Sequence, residues 1–203
     1  MKPARSDAEI MRGLFRRACY RRTTRQAKVL EARPNRLYQR PLMTVRVFVT
    51  GGTFDKEYDE LTGKLYFRNT HVDEMLRRGR CGLDVDVETL MMVDSLEMTD
   101  DERARIVQAC RDCDEDQIVI THGTDTMVQT ARALADGVHA KTVVLTGAMV
   151  PYAFGSSDGL FNLGSALSFV QSLPRGVYIA MNGRSFPWDD VRKNRDAGVF
   201  EPL

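Results

Sequence analysis

Three short runs constrain this chain most. Gln117–Thr121, Thr142–Thr146 and Gly176–Met181 are almost wholly apolar and rich in β-branched residues. A strand apolar along its whole length must be covered on both faces, which points to a parallel sheet between helical layers. The segments between the runs have helical period. Val128, Ala131, Leu134 and Ala135 share one side of 124–137, with Gly137 as its stop. A helix starting at Ser157 or Asp158 turns Leu160, Leu163, Leu167 and Val170 inward. Upstream, 45–50 and Val85–Val93 read as two further strands. A helix over 70–79 buries Val72, Met75 and Leu76, and Thr99 with Glu102 forms a capping box for a helix carrying Ile106, Val107 and Cys110. Strands alternating with helices predict right-handed parallel crossovers. The expected fold is α/β: a doubly wound, mostly parallel sheet, Rossmann-like and three-layered (α/β/α), forming a single domain over 43–203.

Residues 1–42 have a different character. They hold ten Arg and two Lys against Asp7, Glu9 and Glu31, a net +9, which leaves the rest of the chain at −8. Ile10, Met11, Leu14, Phe15 and Ala18 fall on one face of a basic helix capped by Ser6 and Glu9. This basic helical N-terminal extension has three readings: an organelle-targeting presequence, a docking arm, or sequence upstream of a true start at Met43. The last is favoured, because Met43 directly precedes the first strand. The acidic body argues against nucleic acid as a partner. No apolar run approaches the length of a membrane span, and no secretory signal is expected, because Arg12, Arg16 and Arg17 interrupt the apolar stretch. Cys110 and Cys113 form a C-x-x-C without a second pair, which reads as ordinary helix cysteines in a reducing cytoplasm.

Ligands of open parallel sheets bind at the carboxyl ends of the strands. Here those ends read Thr50-Gly51-Gly52-Thr53, Asp94-Ser95, Thr121-His122-Gly123-Thr124-Asp125-Thr126, Thr146-Gly147-Ala148-Met149 and Asn182-Gly183. Any one such loop is explained by capping. Hydroxyls recurring along one rim, with glycines that admit a ligand to the backbone, point to a site. Thr124 and Asp125 are expected to open a helix, where free N–H groups hold a carboxylate or oxyanion. Asp125 either caps that helix or binds an ammonium group.

Other chemistries fail on pattern. Gly51-Gly52-Thr53 lacks the third glycine of a dinucleotide loop and the Lys of a P-loop. Gly155-Ser156-Ser157-Asp158-Gly159 fits G-x-S-x-G, but Pro151-Tyr152-Ala153-Phe154 separates it from the strand, and all three histidines precede Ser157. The histidines also lack metal-ligand spacing, so they give no metal signature. A hydroxyl nucleophile then needs another base. Lys193, in Asp190-Val191-Arg192-Lys193, is a candidate, although a lysine in a charged stretch is usually solvated.

These strand-end motifs resemble the two signatures of the L-asparaginase/glutaminase family, threonine amidohydrolases. The second, Ile120-Thr121-His122-Gly123-Thr124-Asp125-Thr126-Met127, is long and specific. The resemblance runs in order through Gly147-Ala148-Met149, Asp158-Gly159, Phe161-Asn162-Leu163, Met181-Asn182 and Asp190-Val191-Arg192-Lys193, covering 45–200. It implies hydrolysis of L-asparagine, with L-glutamine as a poorer substrate, to the acid and ammonia through an acyl-enzyme, without metal or other cofactor. It assigns Thr53 as nucleophile and Tyr58, or else Tyr66, as the tyrosine of a mobile lid over 55–64. Thr124, Asp125 and Lys193 match the second catalytic group, in which the lysine adjusts the proton affinity of the threonine. Gly52, Ser95, Leu96, Asp125 and Ala148 fall at substrate-binding positions: Ser95 for the carboxylate, Asp125 for the ammonium, and the backbone near Thr124 and Ala148 for the oxyanion. A homodimer or homotetramer is implied.

Three departures stand out. Leu96 replaces a substrate-contacting Gln, Phe54-Asp55 replaces small residues, and the chain reaches only Leu203, so the expected form is the N-terminal domain alone. The same fold also admits a non-catalytic amino-acid-binding or regulatory protein, or an amidase for another side-chain amide.

Overall fold

The apolar periodicity becomes two separately covered faces of one sheet in the computed structural model, which describes residues 43–203. The extension over 1–42, and every expectation placed on it, lies outside the described residues. The strands are β1 (Val45–Gly51), β2 (Lys56–Asp59), β3 (Lys64–Phe67), β4 (Val85–Val93), β5 (Gln117–Thr121), β6 (Thr142–Thr146), β7 (Gly176–Met181), β8 (Arg184–Pro187), β9 (Arg192–Asn194) and β10 (Val199–Glu201). The helices are α1 (Val72–Arg78), α2 (Asp100–Asp112), α3 (Met127–Gly137) and α4 (Gly159–Ser172).

The main sheet runs β4-β1-β5-β6-β7-β8. Its first five strands are parallel. Because successive side chains point to opposite faces, Phe48, Ile118, Ile120, Leu145 and Ile179 meet Ile106 of α2 and Met127, Ala131 and Leu134 of α3. Val45, Val47, Val49, Val119 and Val144 meet Val72 and Met75 of α1 and Leu163, Ala166 and Val170 of α4. This is the doubly wound, three-layer α/β/α arrangement.

Two features depart from expectation. First, the crossovers are not all of one hand. The steps β5-α3-β6 and β6-α4-β7 advance in the same direction, yet α3 and α4 cover opposite faces. The connections through α1, α2 and α3 share one hand, and the connection through α4 has the other. Second, the sheet has a sixth strand. Asn182 and Gly183 both adopt positive φ, at 56° and 76°, so β7 turns directly into antiparallel β8. A two-residue Asn-Gly turn suits the twist of such a hairpin.

In order of connection, the five parallel strands are arranged 2-1-3-4-5. The order reverses between β1 and β5, the point at which sheets of this kind form the crevice for a ligand.

Candidate active site

Three loops meet at that crevice at the closest distance their backbones permit. Gly52, after β1, has a φ of 80°. A Cβ there would lie 2.3 Å from the Gly123 nitrogen, and a Cβ on Gly123 would lie 2.4 Å from Ser95 Oγ. Side chains at either glycine would force the loops after β1, β4 and β5 apart. Thr126 Oγ1 adds a tie, donating to the Ser95 carbonyl at 2.7 Å. Ser95 is thus buried against the motif after β5.

Thr53 begins a short 3-10 turn, Thr53–Asp55, immediately beyond Gly52. The two residues that follow hold it in place. Phe54 is fully buried in the α1/α4 face of the core. Asp55 is also fully buried, and its Oδ1 accepts from the His71 N–H at 2.8 Å and Thr70 Oγ1 at 3.1 Å. Burial pushes the Asp55 carboxyl above its usual range, against the lowering effect of those two donors. The departure at Phe54-Asp55 therefore has a physical account: it ties the Thr53 turn to the core and to the start of α1.

Thr124 and Asp125 do not open the following helix. That helix begins at Met127, after Thr126 as N-cap, so both residues lie in the turn that precedes it. Asp125 consequently does not cap it. Lys193 Nζ instead reaches across from β9, donating to Thr124 Oγ1 at 2.7 Å and to Asp125 Oδ1 at 3.0 Å. The guanidinium of Arg195 approaches the same Oδ1 at 3.2 Å, a partner that sequence reasoning missed. The Lys193 side chain is 12% exposed, so this is not the solvated lysine of an ordinary charged run.

Lys193 is placed by residues distant in sequence. β9 pairs with β10, with Lys193 opposite the buried Phe200. The Phe200 N–H donates to Asn182 Oδ1 at 3.0 Å, and the Asn182 N–H donates to Asn162 Oδ1 at 3.1 Å. Asn162 Nδ2 in turn donates to the Gly147 carbonyl at 2.9 Å. These amides link the lysine hairpin to the loop after β6, which contains the buried Ala148. That loop also abuts Thr124: a Cβ on Gly147 would lie 3.2 Å from Thr124 Cγ2.

The segment expected as a lid is a β-hairpin, β2–β3. Lys56, at its base, forms an ion pair with Asp94. Burial pushes Asp94 up, but the Lys56 ammonium and the Leu96 N–H outweigh it and hold the carboxylate below its usual range. Side chains two apart share a face of a strand, so Tyr58 lies on the hairpin face of Lys56. Tyr66 lies on the other face with Glu57, to which its hydroxyl donates at 3.2 Å. Tyr58 is 55% exposed, with its hydroxyl 4.0 Å from where a Cβ on Gly63 would stand. Leu96, 65% exposed, projects from the turn after β4.

His122 is fully buried and donates from Nδ1 to the Gly123 carbonyl at 2.8 Å, which leaves Nε2 to accept from Thr130 Oγ1 at 2.8 Å. Burial lowers its pKa from 6.5 to about 4. The imidazole is neutral and holds the turn. Because the folded value lies below the unfolded one, its contribution to stability is complete above pH 6.5 and is lost as pH falls towards 4. The loss amounts to roughly 3 kcal/mol. Urea unfolding between pH 7.5 and 4.5 should show this slope in the native chain, and His122→Asn should flatten it.

The comparisons with known proteins show the family. The family model "Asparaginase, N-terminal" matches residues 44–199. The chain is 34% identical over 168 residues to L-asparaginase 2 of Escherichia coli, covering 78% of this chain and 48% of that protein. It is 32% identical over 181 residues to one of the subunits of the glutamyl-tRNA(Gln) amidotransferase of Methanococcus vannielii, covering 83% and 41%. The solved thermostable L-asparaginase of Thermococcus kodakarensis superposes with a TM-score of 0.71 at 29% identity, covering 79% of this chain and 51% of that one. The chain thus spans about half the length of these relatives. It belongs to the asparaginase family, through the family's N-terminal domain.

Proposed function

We propose that this chain hydrolyses L-asparagine to L-aspartate and ammonia, with L-glutamine as a poorer substrate. The observation that carries the reading is the Lys193–Thr124–Asp125 contact beside the Gly52–Gly123–Ser95 crevice. Because Lys193 donates to Thr124 Oγ1, the hydroxyl proton of Thr124 is free to point to substrate or water. Because Lys193 and Arg195 both use Oδ1 of Asp125, Oδ2 is left for a substrate ammonium. Ser95 receives the α-carboxylate.

In the first step Thr53 Oγ attacks the side-chain amide carbon. Its proton passes through Tyr58 to the departing nitrogen, and ammonia leaves behind an ester on Thr53. Backbone N–H groups near Thr124 and Ala148 hold the oxyanion. Water, oriented by Thr124, then attacks the ester, releasing L-aspartate and returning the proton to Thr53. The reading takes Tyr58 rather than Tyr66 as the lid tyrosine, because Tyr58 shares a hairpin face with Lys56. It keeps the domain boundary at 43, a cytoplasmic place of action, and a homodimer or homotetramer.

A second reading is an amidase for an amide carried on a larger molecule. It is favoured by the exposed Leu96 at the rim and by the likeness to the amidotransferase. Ammonia release across L-asparagine, L-glutamine and simple primary amides tests both. The first reading expects L-asparagine to be turned over fastest. Binding of L-aspartate without ammonia release from any amide would point instead to a non-catalytic sensor. In the same assay Tyr58→Phe should lower kcat by about 10²-fold, the usual contribution of a positioned acid–base group, and Tyr66→Phe should change it by less than about threefold. The reverse order would move the lid role to Tyr66.

A further inference from the structure

Beneath the crevice lies a buried cation that the proposed chemistry does not use. Arg103, in the first turns of α2, is 8% exposed. Its Nη1 donates to the Met98 carbonyl at 2.8 Å, and its Nη2 donates to Thr126 Oγ1 at 3.1 Å. Among the described residues its Nε is buried without a hydrogen-bond partner. The carboxylate nearest to it, Asp100 at 3.4 Å, belongs to a fully solvent-exposed side chain. A counter-ion in water neutralises little of a charge in the protein interior, and a buried charge without full compensation is costly. Such a charge calls for an explanation beyond packing.

The hydrogen bonds give its direction of action. Thr126 Oγ1 accepts from Arg103 and donates to the Ser95 carbonyl, so each bond polarises the other. Thr126 follows directly on Thr124-Asp125, and the Ser95 side chain packs against Gly123. The positive field of Arg103 also reaches the motif after β5, where it adds to the depression of the His122 pKa. The other cation at this loop, Lys56, is already paired with Asp94.

We propose that Arg103 and Thr126 are positioning residues that make the Ser95 seat selective for ligands bearing an α-carboxylate. Arg103 supplies the positive field under the seat, and Thr126 fixes the Ser95 loop against the Thr124-Asp125 turn. The inference rests on the reading of Ser95 as the carboxylate seat. It does not require that the chain be catalytic.

The test is therefore a binding measurement on the full chain, with kinetics beside it. Calorimetry compares L-aspartate with β-alanine, which keeps the amino group and the side-chain acid but lacks the α-carboxylate. The native chain should prefer L-aspartate. Thr126→Val and Arg103→Met should each reduce that preference at least tenfold, while Thr126→Ser, which keeps the hydroxyl, should stay within about twofold. In asparagine hydrolysis the same two variants should raise KM about tenfold and leave kcat within about threefold. If Arg103→Met does not fold, the Val/Ser pair at Thr126 carries the test. A native chain that does not prefer L-aspartate, or variants that lose both ligands equally, would overturn the proposal. A carboxylate preference in the native chain that both variants lose, without any amide hydrolysis, would support it while removing the catalytic reading.

Discussion

Thr53→Ala should release ammonia from L-asparagine at a rate at least about 10³-fold below that of the native chain, because the proposed reaction runs through an ester on the Thr53 hydroxyl. The size of the effect follows from how the residue is held. Gly52 cannot carry a side chain without striking Gly123. The buried Phe54 and Asp55 fix the turn from the other side. Thr53 is therefore presented at one position on the rim, and a neighbouring threonine cannot take its place. Thr53→Ser should recover most of the activity, and L-aspartate binding should survive in both variants. Global stability should change by less than about 1 kcal/mol in Thr53→Ala, since the substitution removes neither a buried partner nor a core contact.

Lys193→Met should lower kcat by about 10²- to 10³-fold, or about 3–4 kcal/mol of barrier, with a smaller change in KM. Loss of the ammonium frees Thr124 Oγ1 from the donor that orients its proton, and leaves Asp125 to Arg195 alone. The stability effect should be far smaller. Asp125 is 27% exposed and retains the Arg195 cation, so removing Lys193 strands no buried charge, and the loss should stay within about 1–2 kcal/mol. The two magnitudes separate a catalytic role from a structural one. Lys193→Arg should not restore the rate, because a planar guanidinium cannot aim two donors at Thr124 and Asp125 from the same point. Single-turnover and steady-state kinetics, with urea unfolding alongside, measure both quantities.

What the sequence made legible was local. Short apolar runs rich in β-branched residues, like those of β5, β6 and β7, read as strands covered on both faces, and the glycines and hydroxyls at their ends mark one rim. What it did not make legible depends on contacts between distant segments. Lys193 looks like one residue of a charged stretch until β10, Asn182 and Asn162 place it under Thr124. The β2–β3 hairpin escapes pattern reading because neither of its faces is buried deeply enough to enforce alternation. Residue pattern starts α3 three residues before Met127, because Thr124 and Asp125 are typical capping residues whose side chains are engaged by Lys193 instead. The reversed hand of the α4 connection has no local signature. The turn into β8 does carry one, the Asn182-Gly183 pair, which counting apolar runs passes over.

The account stands on Thr53 as the atom that carries the acyl group. Peptide mapping by mass spectrometry, after acid quench of the chain mixed with L-asparagine, reads this directly. The expected result is one aspartyl group esterified to the peptide containing Thr53, absent from Thr53→Ala. An aspartyl group on Thr124, or undiminished ammonia release from Thr53→Ala, would contradict it.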